Sequence, residues 1–216
     1  MTGQSVPAGF RLQGRNSNSL GIVMRFWCSK ETKRARAEQV CRDNTIATYE
    51  GIRLCNLSSE KRDAVEFVDS TTKALDLVRQ NDVRRFRRIQ RFISYVVNRE
   101  LISGGNYDER LRVCNVDFTF FKVREDLEWY LLQYAGLLVH ESTHGLIAVR
   151  GIPYNMKTRM RVERLCKEEE KRFFMKISSP WKVDDLFRED DERWLKQYWG
   201  FWSRMGLRWK RAKESG

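Results

Sequence analysis

The sequence predicts an α+β protein in which helices predominate, and two patterns lead to this fold class. Long segments repeat their apolar residues about every 3.6 positions, which is the period of an amphipathic helix. Shorter segments between them are rich in branched and aromatic side chains, as strands are. With 216 residues, of which 41% are hydrophobic, the chain has enough apolar material for one core. We therefore expect a single domain over residues 20–216, preceded by a flexible tail at residues 1–19 that is poor in large apolar groups.

The first half of the chain alternates the two patterns. In chain order we expect a strand at 20–28, a short charged helix at 31–42, a strand at 45–55, a helix beginning near Ser58 with apolar positions from Ala64 to Val78, and a further helix that continues through Val97. Asp82 precedes this last helix and is a typical N-cap residue.

The second half is dominated by longer helices. We expect a loop at 103–109, a strand at 110–120, a long helix at 125–149, a break at 151–155, a helix at 157–177 ended by the Ser-Ser-Pro at 178–180, and a final helix rich in Trp. No internal repeat is evident in the sequence.

Charge and cysteine content narrow the class of protein. The 41 Lys and Arg outweigh the 29 Asp and Glu, and the formal charge of +12 fits an anionic partner such as nucleic acid, phospholipid headgroups or an acidic protein. The five cysteines form no CxxC pair, so we expect reduced thiols rather than a disulfide framework. Neither a signal peptide nor an apolar run long enough to span a membrane is evident, so we expect a cytoplasmic protein.

The stretch LLVHESTHGLIA, within the long helix, carries the strongest chemical signal. His140 and His144 are four residues apart, so a helix places both imidazoles on one face, where they can bind a single Zn²⁺ ion. Glu141 would stand beside the open position of the zinc and take a proton from its activated water. The alternative is a buried helix that holds two histidines by chance. These are the only 2 histidines in the chain, and chance would produce this pattern in about one sequence in a thousand.

A catalytic zinc usually has a third protein ligand, which in this chain must be a carboxylate or a thiolate. Glu163 follows His144 after 18 intervening residues. The pattern HExxH followed by this Glu resembles the gluzincin class of zinc metallopeptidases. The resemblance implies His140, His144 and Glu163 as zinc ligands, Glu141 as general base, a peptide or protein substrate, and a zincin-like fold. In such a fold the substrate lies along the edge strand that precedes the active-site helix.

The resemblance covers residues 137–170 and indicates the gluzincin class, but no particular family within it. Alternatives for the third ligand are Glu169, Glu170 and Cys166, which lie near the apolar stripe of the same helix. Glu163 itself could be a surface charge paired with a basic residue four positions away, and Glu170 could be a surface charge too. If Glu163 does bind zinc, Arg159 or Arg161 is expected to orient a carboxylate.

Two further residues near the motif are candidates for a role in catalysis or in helix packing. Tyr154, in the loop between the two ligand helices, is the nearest candidate for stabilising an oxyanion, although it could simply pack against Pro153. Gly145 leaves room for a close approach by a neighbouring element, unless the helix already frays there.

Basic and aromatic helix faces support a rival function. We place the arginines of the helix after Asp82 opposite its apolar stripe, where they form either a solvated face or a phosphate-binding one; they are Arg84, Arg85, Arg87, Arg88 and Arg91. The Trp-rich helix either covers the core or docks on a membrane surface or a partner. The rival to a peptidase is therefore a basic binding protein for nucleic acid or an anionic surface, with a structural or vestigial zinc site.

Overall fold

A computed structural model describes residues 30–58, 63–101, 104–118 and 127–177. This part of the chain contains five helices and one sheet of five strands. The helices are α1 (Lys30–Asp43), α2 (Asp63–Asn81), α3 (Val83–Phe92), α4 (Leu127–Val149) and α5 (Arg159–Phe174). The strands are β1 (Thr45–Tyr49), β2 (Ile52–Asn56), β3 (Tyr95–Asn98), β4 (Gly105–Asp108) and β5 (Val113–Val116). The α+β class with predominant helices is confirmed, whereas the predicted tail, the strand at 20–28 and the Trp-rich helix lie outside the described residues.

The sheet is mixed, with its strands in the order β1-β2-β3-β5-β4. The three central strands run parallel to each other, and β1 and β4 pair antiparallel at the two ends. The connection from β2 to β3 passes through α2 and α3, which pack on α4. The sheet thus has a fully buried centre and, within the described residues, an edge strand β4 beside the helix that carries the histidines.

The segment 45–55 is a hairpin rather than the single predicted strand. Glu50 and Gly51 have φ angles of 48° and 83°, so two consecutive residues adopt the left-handed region. This is the backbone of a tight hairpin turn, and Gly51 adopts it without steric cost. The Glu-Gly pair is the local signal that divides the stretch into β1 and β2.

The helix after Asp82 is shorter than predicted. It ends at Phe92, and Ile93 is already extended, with φ −112° and ψ 110°. The residues that follow form β3, all four of them buried. Val97 therefore belongs to a central strand, because a run of aromatic and β-branched side chains is more stable between two strands than in another turn of helix.

The predicted loop at 103–109 contains β4. Gly105–Asp108 has the composition of a turn, yet it pairs along its length with β5. Pairing with an adjacent strand outweighs the weak strand propensity of Gly, Asn and Asp. The expected strand at 110–120 is present as β5, which is shorter and fully buried.

The predicted helices agree well with α1, α2, α4 and α5. Asp82 caps α3 as predicted, since its carboxylate accepts a hydrogen bond of 3.1 Å from the Arg85 backbone N–H. The cysteines within the described residues are free thiols, as expected: Cys41, Cys55, Cys114 and Cys166. No helix in the described ranges is both long and apolar enough to cross a membrane.

The main core lies between the sheet and α2, α3 and α4. Its fully buried side chains include Phe67, Leu75, Ile89, Val96 and Leu138. Helix α5 packs along α4 and adds Phe173 and Phe174 to the same core. Helix α4 is therefore held on several sides, which fixes the positions of the side chains that it presents to α5.

Candidate metal centre

His140 and His144 lie one turn apart on α4 and face the same side of the helix. The centroids of their rings are 5.1 Å apart. His140 is buried, and 14% of the His144 side chain is exposed. The pair therefore has the arrangement that the i, i+4 spacing predicts.

A close approach between α4 and α5 brings carboxylates to these imidazoles. Gly136 lies one turn before His140, and a Cβ atom added there would overlap the Phe174 ring and lie 3.1 Å from Glu170 Oε1. Since glycine has no Cβ, it lets the two helices approach this closely. Glu163 and Glu170 are both buried in the resulting interface.

Glu163 contacts both imidazoles. Its Oε2 lies 3.3 Å from His140 Nε2, and its Oε1 lies 3.8 Å from His144 Nε2. Two N or O ligands of one tetrahedral zinc ion are about 3.3 Å apart, because each lies about 2.0 Å from the metal. The spacing thus suits metal ligation, and Glu163 is directed to the histidines rather than to the solvent as a surface charge.

Glu170 orients His140 from the other side of its ring. Glu170 Oε2 lies 3.3 Å from His140 Nδ1, and Lys167 Nζ lies 3.7 Å from the same oxygen. A carboxylate on the second ring nitrogen is the usual partner of a metal-binding histidine. Of the sequence alternatives, Glu170 is thus a buried partner of His140, not a surface charge.

Glu169 lies away from the centre and binds arginines. Its Oε2 accepts hydrogen bonds from Arg85 and Arg88 at 3.1 and 2.8 Å, and its Oε1 accepts one from Arg172 at 2.8 Å. Its geometry therefore gives no support to a role as the third ligand.

Cys166 approaches the same histidines from one turn further along α5. Within the described residues, His140, His144 and Cys166 form a group that could hold a metal ion, with one donor atom of each lying within 4.8 Å of the others. The cysteine side chain is completely buried. Burial raises the pKa of the Cys166 thiol far above its usual value, and the nearby Glu163, Glu141 and Glu170 raise it further.

Glu141 is a buried carboxylate with an unsatisfied atom. Only 4% of the residue is exposed, and among the described residues its Oε2 has no hydrogen-bond partner. Burial raises the pKa of Glu141 to about 7, with smaller contributions from Glu163 and Glu170. A general base operates best with a pKa near the ambient pH.

The two imidazoles have opposite electrostatic environments. Burial lowers the pKa of His140, but hydrogen bonds to Glu163 and Glu170 outweigh that effect and raise it to about 10. Burial, reinforced by the neighbouring His140, lowers the pKa of His144 to about 4. Burial would raise the pKa of Glu163, but the two histidines and Tyr154 lower it to about 2. Of the two imidazoles, His140 is thus the one whose surroundings favour the positive charge, and Lys167 adds a second positive charge beside Glu170.

Tyr154 hydrogen-bonds to Glu163. Its hydroxyl donates to Glu163 Oε1 and accepts a hydrogen bond of 3.0 Å from Arg159 Nε. Its ring meets that of His144 edge-on, with centroids 5.4 Å apart. Half of the residue is exposed, so a ligand could reach it. Arg159 is therefore linked to the carboxylate through Tyr154, a link that the sequence did not indicate.

Gly145 lies at a close approach of the kind that the sequence indicated. A Cβ atom there would lie 2.7 Å from Phe92 Cβ and 2.8 Å from the Tyr107 hydroxyl. The helix continues to Val149, so Gly145 is not the beginning of fraying. Its small size lets α3 and β4 approach the helix next to His144.

The predicted basic face of α3 is smaller than expected. Arg85 is buried, and only 12% of the Arg88 side chain is exposed. Both bind Glu169 on α5, so they hold two helices together instead of facing a partner. Arg84, Arg87 and Arg91 remain exposed.

Sequence reasoning missed the contact between Glu170 and His140. The signal was present, because Glu163, Cys166 and Glu170 follow a spacing of three and four residues and thus share one face of α5.

Comparison with known proteins adds nothing to this geometry, since the chain matches no protein-family model, no curated protein and no solved structure.

Proposed function

We propose that this protein is a zinc-dependent peptidase in which His140, His144 and Glu163 hold the ion and Glu141 is the general base. The observation that carries the proposal is the Glu141 carboxylate, which is buried beside these residues and whose Oε2 has no hydrogen-bond partner in the described part of the chain. Leaving such a group unsatisfied costs about 1–3 kcal/mol or more, so it suggests a role in binding or chemistry.

The donor set fits zinc. Two imidazoles and a carboxylate are the ligands of an open catalytic zinc site, and the spacings of 3.3 and 3.8 Å suit it. Three buried carboxylates surround these imidazoles: Glu141, Glu163 and Glu170. Several buried anions are stable together only near positive charge, and a divalent cation would add to the charge that His140 and Lys167 supply.

The chain's own residues would share the work of hydrolysis. The ion, when bound, supplies Lewis-acid activation of a water molecule and of the scissile carbonyl. Glu141 would accept the proton of the attacking water and deliver it to the leaving amine. Glu170 would hold the His140 ring in place, and Arg159 would keep Tyr154 on Glu163. Tyr154 could also donate to the developing oxyanion if its hydroxyl turned from Glu163 to the substrate.

The position of β4 supports a peptide as the substrate. This strand ends the sheet within the described residues and packs against α4. One of its edges is hydrogen-bonded to β5. An extended peptide that paired with its other side would add a strand beside the helix that carries His140 and His144.

The test is to measure zinc and hydrolysis together. Purified protein and its His140→Ala variant would be analysed for zinc and assayed against a mixture of peptides. We expect one zinc per chain in the parent and hydrolysis that a chelator abolishes, with both lost in the variant. Protein that takes up no zinc on titration would refute the proposal.

A further inference from the structure

We propose that Cys166 is a fourth zinc ligand, which closes the metal site in the substrate-free protein and regulates the peptidase. This inference rests on the proposed zinc site. The thiolate of Cys166 would occupy the position on the ion that the attacking water needs. Hydrolysis would therefore require the thiolate to leave the ion.

The position of Cys166 on α5 places its thiol beside the two histidines. The residue lies three positions after Glu163, so both side chains project from the same face of the helix toward α4. Its sulfur lies within 4.8 Å of a ring nitrogen of each histidine. In a tetrahedral zinc site a nitrogen and a sulfur ligand are about 3.5 Å apart. Movement of about one ångström by side chains would thus suffice for coordination.

The surroundings of Cys166 support a ligand that the protein supplies from its interior. The side chain is completely buried and packs with Ile147 and Val162 in a small apolar cluster. Tyr154 and His144, in contrast, lie on the more exposed side of the centre. The thiol therefore approaches from the core, and a peptide would approach from the loop that carries Tyr154.

A site with four protein donors has no position for water. The set would consist of two imidazoles, one carboxylate and one thiolate, which is the closed form typical of structural zinc sites. On coordination the Sγ–H bond breaks, the proton leaves to solvent, and the sulfur takes the fourth position in place of water. The reverse exchange, with a proton returning to the sulfur, would open the site.

X-ray absorption spectroscopy at the zinc edge tests this directly, on the full chain loaded with zinc alone. We expect one sulfur neighbour at about 2.3 Å and nitrogen or oxygen neighbours at about 2.0–2.1 Å. The sulfur neighbour should vanish in Cys166→Ser and persist in Cys41→Ala, a matched control because Cys41 belongs to a separate cluster. Cys166→Ala should weaken zinc affinity by at least about tenfold and raise hydrolysis at saturating zinc.

The outcomes separate this inference from the proposed function. Zinc with only nitrogen and oxygen neighbours in the parent protein would overturn the role of Cys166 and leave the peptidase proposal intact. A sulfur neighbour without hydrolysis, even in Cys166→Ala, would support the coordination and refute the peptidase. Protein that binds no zinc at all would overturn both.

Discussion

Glu141 is buried close to two other buried acids, and its Oε2 meets no hydrogen-bond partner within the ranges that the structure describes. Stability alone would favour an amide or an apolar side chain at this position, because the desolvated charge is costly. The proposed hydrolysis would explain the acid, since a carboxylate can accept the proton of the attacking water and an amide or an apolar side chain cannot.

The Glu141→Gln substitution should therefore keep the zinc and the fold but reduce kcat/KM by about 10²–10⁴-fold, because the amide preserves shape and cannot accept a proton. Glu128→Gln is the matched control, since Glu128 lies on the same helix and is exposed. Steady-state kinetics with a cleaved peptide provide the measurement. A Glu141→Gln variant as active as the control would place the base elsewhere.

The identity of the third ligand can be tested without a substrate. Glu163→Ala should weaken zinc binding most, because Glu163 contacts both imidazoles. Glu170→Ala should weaken it by about 10–100-fold, through loss of the partner of His140 Nδ1. Glu169→Ala should leave it unchanged, as should the exposed control Glu168→Ala. Competition with a fluorescent chelator would rank the four variants, and a dominant loss in Glu169→Ala would contradict the geometry.

At the scale of helices and strands, the packing of α4 against α3 and β4 depends on Gly145. In an exposed helix, replacing Gly with Ala gains about 1 kcal/mol. Here the added Cβ would lie 2.7 Å from Phe92 Cβ and 2.8 Å from the Tyr107 hydroxyl, so the elements must separate. We expect Gly145→Ala to destabilise the protein by about 1–3 kcal/mol in urea unfolding. A more stable variant would show that this contact is loose.

The junction of α3 and α5 is held by buried charges. Asp82 bonds to the Arg85 side chain, and Lys176 Nζ lies 2.8 Å from its Oδ2. Burial would raise the pKa of Asp82, but Lys176 and Arg85 outweigh it and lower the pKa below its ordinary value. The charged form is thus favoured by folding. Its contribution is fully present above the unfolded pKa of about 4 and is lost as the pH falls through the lower folded pKa.

The Asp82→Asn substitution should therefore cost about 2 kcal/mol at pH 7, and the difference from the parent should shrink at pH 3 and below. Asn still caps the helix, so the loss reports the ion pairs. The control is Asp69→Asn, which removes an exposed pair with Lys73 and should change stability by less than about 1 kcal/mol. Urea unfolding at several pH values gives both numbers; a difference independent of pH would exclude the charge as its cause.

Across the whole molecule, the features that could be predicted from the sequence are those that the local spacing of apolar residues determines. The helices could be predicted because each buries one face with a regular spacing, and the His140–His144 pair because both imidazoles lie on one helix. β4 was missed because Gly105–Asp108 becomes a strand only through pairing with β5.

The contacts that complete the centre were harder to predict because they join distant parts of the chain. The approach of Glu170 to His140 depends on how α5 packs along α4 near Gly136. The pairing of Arg85 and Arg88 with Glu169 joins residues more than 80 positions apart. A sequence pattern describes one element at a time, so such contacts follow only from the fold.

The net charge of +12 favours an anionic partner, and the exposed arginines of α3 are the residues of this helix that could bind nucleic acid. With Arg85 and Arg88 engaged by Glu169, only Arg84, Arg87 and Arg91 remain exposed on this helix, and Arg91 lies over the Phe92 ring. We expect the triple change of these three to Gln to leave stability and hydrolysis nearly unchanged. Gel shifts with duplex DNA across salt concentrations should show only weak binding, with Kd no tighter than about 10⁻⁶ M at physiological salt.

A matched triple variant removes the same charge from exposed positions of α1, through Lys33→Gln, Arg34→Gln and Arg36→Gln. It separates binding by the arginines of α3 from the effect of net charge. If α3 binds phosphates, each lost contact should flatten the log-log salt slope by about 0.9 in the α3 variant alone. If only the net charge attracts DNA, both variants should weaken binding alike. Submicromolar, salt-sensitive binding that the α3 change abolishes and the α1 change retains would contradict our expectation, and it would favour a nucleic-acid-binding protein over a peptidase.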